Sequence, residues 1–162
     1  MPPLLGLAAS IRKAVPDAKI AVYLGFRDKS ALILEEDFGK YADKVTICTD
    51  DGSYGFHGNV LSLLSQNPQG VPGQARNDGF DVMNDGFDII YGCGPKPMLK
   101  ALAQYAAQGD LPCFVSVEEH MACCVGTCLA CIVRVQQNGG NPVNKRACYD
   151  GPVFNAKEVV WE

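Results

Sequence analysis

Positive charge is in short supply, with 14 lysines and arginines against 18 aspartates and glutamates and a formal net charge of −4. With no basic excess, the electrostatic footprint of a nucleic-acid binder is missing. Long apolar runs are missing too. Nothing approaches the roughly 18 consecutive apolar residues of a membrane span, so a membrane is not an expected partner. Met1-Pro2-Pro3-Leu4-Leu5 places no charged segment ahead of an apolar run, and no export signal is visible. A G-x-G-x-x-G fingerprint is absent, so a complete dinucleotide site does not follow from spacing. His57 and His120 stand alone without a partner motif, and neither is assigned to catalysis. What remains is an ordinary globular composition, 48% hydrophobic and 20% charged over 162 residues, enough for one substantial domain or two small ones. Eight cysteines in a chain without an export signal favour a reducing compartment and metal ligation over disulfides, and the cytoplasm is the expected location.

The cysteines are concentrated in Cys123-Cys124-Val125-Gly126-Thr127-Cys128-Leu129-Ala130-Cys131, answered by Cys148. Cys123, Cys128, Cys131 and the distant Cys148 give C-x4-C-x2-C…C, the plant-type [2Fe-2S] spacing. Two irons bridged by two sulfides need four thiolates converging from different sides, so a short loop must curl while another segment closes it. Ala122, Gly126, Thr127 and Ala130 are small enough to let backbone N–H groups approach the sulfurs. The competing reading is a zinc site or buried thiols. Ile132-Val133-Arg134-Val135 alternates as a strand, 138–142 is a turn, and Val143 to Ala147 can return as its partner, bringing Cys148 near Cys131. Cys124 reads as a spare thiol open to oxidation. Cys48 and Cys113 sit in apolar strand patterns and belong to the core, while Glu118 and Glu119 flank the loop as solvated charges.

Upstream, strand-like and helix-like segments alternate. Helical faces are expected from Pro3 to Val15, Ser30 to Tyr41, Asn59 to Leu64 and Pro95 to Gln108. Strands covered on both faces are expected at Lys19–Gly25, Lys44–Cys48 and Phe87–Gly92. Such alternation predicts parallel strands joined by right-handed crossovers. The character changes near Leu111-Pro112, giving an α/β module over 1–111 and a small β-rich domain over 112–162. Between Asn67 and Phe87 the chain is polar and glycine-rich, and Asn77-Asp78-Gly79-Phe80-Asp81 is repeated as Asn84-Asp85-Gly86-Phe87-Asp88, which reads as an insertion in a tolerant loop. Open parallel sheets bind ligands beyond the carboxyl ends of their strands. Two loops qualify, Thr49-Asp50-Asp51-Gly52-Ser53-Tyr54-Gly55 and Gly92-Cys93-Gly94-Pro95, the second leading into a helix N-terminus; either could equally be a plain strand-to-helix turn. Arg27 follows a strand end and could meet a ribose or phosphate, or simply be solvated.

Tyr23-Leu24-Gly25-Phe26-Arg27, the Thr49–Gly55 loop, Tyr91-Gly92-Cys93-Gly94-Pro95, Glu118-Glu119-His120-Met121-Ala122-Cys123 and Cys148-Tyr149-Asp150-Gly151-Pro152-Val153-Phe154 together resemble the electron-transfer subunit of class 1B dihydroorotate dehydrogenase. That family belongs to the ferredoxin reductase superfamily, and the resemblance implies an FAD-binding barrel, a nicotinamide-binding α/β module and a C-terminal [2Fe-2S] domain. It also implies electron transfer between an FMN-containing catalytic subunit and NAD, by way of the cluster and FAD, in pyrimidine biosynthesis. By the same resemblance Thr49, Asp50, Gly52, Gly94 and Met98 are nicotinamide contacts. Cys93 lies near the nicotinamide–flavin contact, with a small residue suited to a tight turn as the plainer reading. The family pattern begins with a barrel, a strand and a glycine-rich turn that this sequence does not show. The expectation is therefore an N-terminally truncated member, as from a fragment, a misplaced start or a split gene, with a nucleotide-binding module lacking its first strand. A free-standing ferredoxin-like carrier and a zinc-stabilised interaction module are the alternatives.

Overall fold

A computed structural model describes residues 2–66, 87–137 and 139–161. Contacts divide the chain into two units, Pro2–Gly86 and Phe87–Glu162. The tandem repeat over 77–88 lies almost wholly outside the described residues, as does Asn138 in the expected turn.

In the first unit, α1 (Pro2–Ala14) carries Arg12 and Lys13 in its last turn, where cations suit the negative end of the helix dipole. β1 (Ala21–Phe26) pairs in parallel with β2 (Lys44–Thr49), in register from Ala21↔Lys44 to Phe26↔Thr49. β3 (Phe56–His57) continues the sheet beside β2, again in parallel. The order β1-β2-β3 leaves β1 at a margin among the described residues, so only Leu24 and Phe26 of that strand are buried, whereas the sequence pattern predicts cover on both faces. The continuous helix expected over Ser30–Tyr41 is instead a 3-10 turn (Lys29–Ala31) followed by α2 (Glu35–Phe38). Asp28 caps the turn by accepting the N–H groups of Ser30 and Ala31 at 2.8 and 3.2 Å, and Leu34 at φ 64° breaks the helical path. α3 (Val60–Gln66) begins where the Asn59 side chain accepts the Ser62 N–H at 2.8 Å. Leu24, Phe38, Ile47, Cys48 and Leu63 form the core.

Arg12 fastens this unit. Its guanidinium donates to the carbonyls of Tyr41 (3.0 Å), Pro16 (2.6 Å) and Ala18 (2.8 Å) and to Asp43 Oδ2 (2.7 Å), which also accepts the Ile20 N–H at 2.7 Å. One planar fork therefore ties the end of α1 to the entries of both β1 and β2. Arg12→Ala is expected to cost about 2 kcal/mol, because three carbonyls and a carboxylate lose a charged donor. Urea unfolding checks this, and a lysine at the same position should recover less than half of the loss.

In the second unit, β4 (Ile90–Cys93) pairs in parallel with β5 (Cys113–Ser116), and β5 pairs antiparallel with β8 (Val153–Asn155). The crossover from β4 to β5 is α4 (Lys96–Gln108), which buries Leu99, Leu102, Ala103 and Ala106, the i, i+3, i+4, i+7 stripe of an amphipathic helix. It packs so closely on β4 that a Cβ on Gly92 would lie 2.6 Å from Leu102 Cδ2. β6 (Ile132–Val135) and β7 (Val143–Arg146) form the expected antiparallel hairpin, in register from Ile132↔Arg146 to Val135↔Val143. The C-terminal segment runs beside β6, bridging Val135 to Val159. β4 and β5 thus pair across the compositional change at Leu111-Pro112. Cys48 and Cys113 are buried, as their strand patterns predict, and burial pushes both thiols up, Cys48 to about 11. Among the described residues no helix is long and apolar enough to cross a membrane.

Candidate metal centre

Three residues in the left-handed region curl the cysteine loop: Cys124 at φ 55°, Gly126 at 81° and Leu129 at 59°. Only the glycine adopts this conformation without strain. The curl turns backbone donors inward, so Cys123 Sγ accepts the N–H groups of Thr127 at 3.3 Å and Cys128 at 3.4 Å. The hairpin supplies the other half. Ala147 N–H reaches the Cys131 carbonyl at 2.9 Å, and Cys148 N–H reaches Cys131 Sγ at 3.5 Å. Cys131 is buried, Cys123 and Cys148 are half-buried, and Cys124 and Cys128 are exposed.

The electrostatics of the four thiols follow from these contacts. The Cys128 N–H, joined by the Val125 and Thr127 N–H groups and the Cys128 thiol, draws Cys123 down to about 6. The Cys148 N–H, above all, lowers Cys131. Cys148 is raised, first by its hydrogen bond to Cys131 and by burial, then by the nearby Cys131 and Cys123 charges, with the Gly126 N–H acting the other way. Cys123, Cys131 and Cys148 therefore sense their neighbours, and the four side chains fall in two close pairs, Cys123 with Cys128 and Cys131 with Cys148. Among the described residues no three His, Cys, Asp or Glu side chains are gathered to hold a single ion. A binuclear cluster asks for something different, two thiolates on each iron. Two thiol pairs with N–H groups already aimed at sulfur suit that demand, since such donors stabilise thiolates and offset the cluster's negative charge.

Arg146, which sequence reading passes over as an ordinary strand charge, sits at the end of β7. Its Nε and Nη2 hold Asp150 at 2.9 and 3.3 Å, Nη1 donates to the Gly126 carbonyl at 3.1 Å, and the guanidinium lies 4.7 Å from the Tyr149 ring centroid. Asp150 is held down to about 2, first by the Arg146 side chain and then by its backbone N–H. A depressed carboxylate of this kind gives its full stabilisation above the ordinary range near 4 and loses it as pH falls toward 2. The Arg-x-x-x-Asp spacing beside Cys148 is the one sequence signal that could have exposed the pair. Glu119, expected to be solvated, is paired with Lys96 at 2.6 Å and only 17% exposed, whereas Glu118 is exposed.

The nicotinamide candidates fall in both units. In the first, Thr49 is fully buried, and its hydroxyl donates to the Tyr54 carbonyl at 2.7 Å while accepting the Tyr54 N–H at 3.1 Å. That hydroxyl closes the loop. Asp50 is exposed, and Gly52, at φ 71°, makes room for the His57 ring. Tyr54 hydroxyl reaches Glu35 at 3.2 Å, Lys29 lies 5.6 Å from the Tyr54 ring, and Lys29 N–H reaches Ser53 Oγ at 2.8 Å, tying the loops after β1 and β2 together. Arg27 is exposed beside them. In the second unit Cys93 ends β4 half-buried, and Met98 folds over Gly94, where a Cβ would meet its Cε at 2.7 Å.

Residues 118–160 match the family described as the iron-sulfur cluster binding domain of dihydroorotate dehydrogenase B. An electron-transfer subunit of dihydroorotate dehydrogenase B (NAD(+)) from Desulforamulus reducens is 39% identical over 144 residues, 89% of this chain and 49% of the relative. The corresponding subunit from Bacillus caldolyticus is 39% identical over 160 residues, 99% of this chain and 53% of the relative. Over most of its length the chain is similar to dihydroorotate dehydrogenase B electron-transfer subunits. It spans about half the length of these curated relatives. A solved NADH-dependent reduced ferredoxin–NADP oxidoreductase is similar in structure, with a TM-score of 0.73 and 30% identity over 98% of this chain and 49% of that one. The α/β fold with parallel strands is thus the ferredoxin reductase-like fold expected from the motifs. The cysteine pairs described above lie inside the matched cluster-binding segment.

Proposed function

We propose that this chain holds a [2Fe-2S] cluster, which Cys123, Cys128, Cys131 and Cys148 would ligate. We further propose that it relays electrons between the FMN-containing catalytic subunit of a dihydroorotate dehydrogenase and NAD, through the cluster and then FAD, in pyrimidine biosynthesis. The observation that carries this reading is the two thiol pairs, each with backbone N–H groups directed at a sulfur, within residues 118–160. When bound, the cluster takes up and releases single electrons, while a flavin converts them to the two-electron hydride chemistry of nicotinamide. The chain's own part is to supply four thiolates, orient them and shield Cys131. Residues 112–162 form the cluster domain in this reading, and 1–111 the nicotinamide module, with Thr49, Asp50, Gly52, Cys93, Gly94 and Met98 as its contacts. Of these, Thr49 acts by shaping its loop. Met121, Val125, Leu129, Tyr149 and Val153 are exposed apolar residues in and beside the cysteine segments. The cytoplasm is the location that fits.

Anaerobic purification followed by absorption spectroscopy and analysis of iron, sulfide and zinc tests the proposal. About two irons and two sulfides per chain are expected, with visible charge-transfer bands. A colourless, zinc-loaded protein would replace the electron-transfer reading with the interaction module. A loaded chain that binds neither flavin nor the catalytic subunit would favour the free-standing carrier.

A further inference from the structure

We propose that Arg146 is a positioning residue for the cluster, acting through the peptide that joins Gly126 to Thr127. The inference rests on the ligand assignment proposed above. That peptide is engaged at both ends, since its carbonyl accepts Arg146 Nη1 at 3.1 Å and its N–H donates to Cys123 Sγ at 3.3 Å. A cation on the carbonyl withdraws electron density along the amide and strengthens the N–H as a donor, the cooperativity expected of hydrogen bonds in series. Donors to cluster sulfurs stabilise the more negative, reduced state and so raise the reduction potential.

The guanidinium is held for this task from several sides. Asp150 takes Nε and Nη2 at 2.9 and 3.3 Å, and its Oδ2 also accepts the Arg146 backbone N–H at 2.8 Å. Asp150 N–H in turn donates to the Arg146 carbonyl at 2.7 Å, closing the turn that carries Cys148. Gly126 is buried at φ 81°, and a Cβ there would lie 3.1 Å from Tyr149 Cβ and 3.4 Å from Arg146 Nη1, so only glycine lets the carbonyl enter the clasp. Because Arg146 is paired with Asp150, the two are neutral together and their net charge adds little at a distance. The peptide orientation is what remains to act on the cluster. One side chain therefore couples the loop bearing Cys123 and Cys128 to the turn bearing Cys148.

The test uses the full chain reconstituted anaerobically with ferrous iron and sulfide, with midpoint potentials read by EPR-monitored titration. Arg146→Gln is expected to bind wild-type amounts of iron and sulfide and to titrate at a more negative potential. Arg146→Lys keeps the charge but cannot hold Asp150 and the Gly126 carbonyl in one plane, so a smaller negative shift is expected. Wild-type protein labelled with 15N-threonine should show hyperfine coupling from the Thr127 nitrogen to the reduced cluster, weakened in Arg146→Lys. A loaded Arg146→Gln variant with the wild-type potential would overturn the inference. Should that variant fail to load, a wild-type potential and undiminished threonine coupling in Arg146→Lys would do so instead. Absence of iron from the wild type sinks the ligand assignment, and this inference with it; a loaded wild type with unmoved variants sinks this inference alone.

Discussion

Cys128→Ser is expected to lower cluster affinity at least about tenfold, the loss already typical when a group that merely supports a metal ligand is removed. Cys124→Ser, one residue from Cys123, is expected to retain full iron, sulfide and visible absorbance. The contrast follows from geometry. Cys128 sends both its thiol and its backbone N–H toward Cys123, whereas Cys124, equally exposed, figures in none of the thiol contacts above. Serine preserves the size and the backbone donor but replaces a soft thiolate with an oxygen ligand. Because a bound metal group contributes its binding free energy to the fold that holds it, the Cys128→Ser protein should also melt earlier. Metal analysis and a thermal melt recorded on the same preparation check both effects, and equal iron in the two variants would exclude Cys128 as a ligand.

Gly55→Ala is the second large effect, expected to destabilise the chain by about 3 kcal/mol or more. Gly55 lies at φ 68°, and a Cβ built there collides with the Ile47 carbonyl. That carbonyl belongs to β2, so relief requires the strand or the Thr49–Gly55 loop to move, and β3 is paired to β2 immediately beyond. Gly139→Ala is the control. At φ 71° it shares the left-handed conformation but has no atom within 4 Å of an added Cβ, so only the conformational strain of about 1 kcal/mol remains. Denaturant unfolding of the two variants separates strain from collision. Similar losses in both would mean that the loop yields without disturbing β2.

The elements legible from sequence are those whose burial follows a period. The stripe Leu99, Leu102, Ala103, Ala106 marks α4, the apolar run at Lys44–Cys48 marks β2, and the alternation at Ile132–Val135 marks one arm of the hairpin. Segments held by distant partners leave no such trace. β3 has two residues and β8 three, and they exist because β2 and β5 offer them open hydrogen-bonding edges. The helix expected over Ser30–Tyr41 fails at Leu34, whose left-handed backbone no propensity of leucine signals. In the candidate metal centre, spacing alone picks out the four cysteines proposed as ligands, but not what orients them. Arg146 reads as a strand residue until its fork is seen gripping Asp150 and Gly126 together. Nor does the sequence show that the Thr49 hydroxyl closes its own loop.

The hairpin register has a consequence for how this segment can change over time. Cys131 lies one residue before the Ile132↔Arg146 pair and Cys148 two residues after it, so the ladder acts as a ruler between two proposed ligands. A strand advances about 3.3 Å per residue and alternates its faces, so one residue gained or lost in either arm would displace Cys148 and turn it away from Cys131. Drift in length is therefore closed to the arms, and divergence there must proceed by substitution alone.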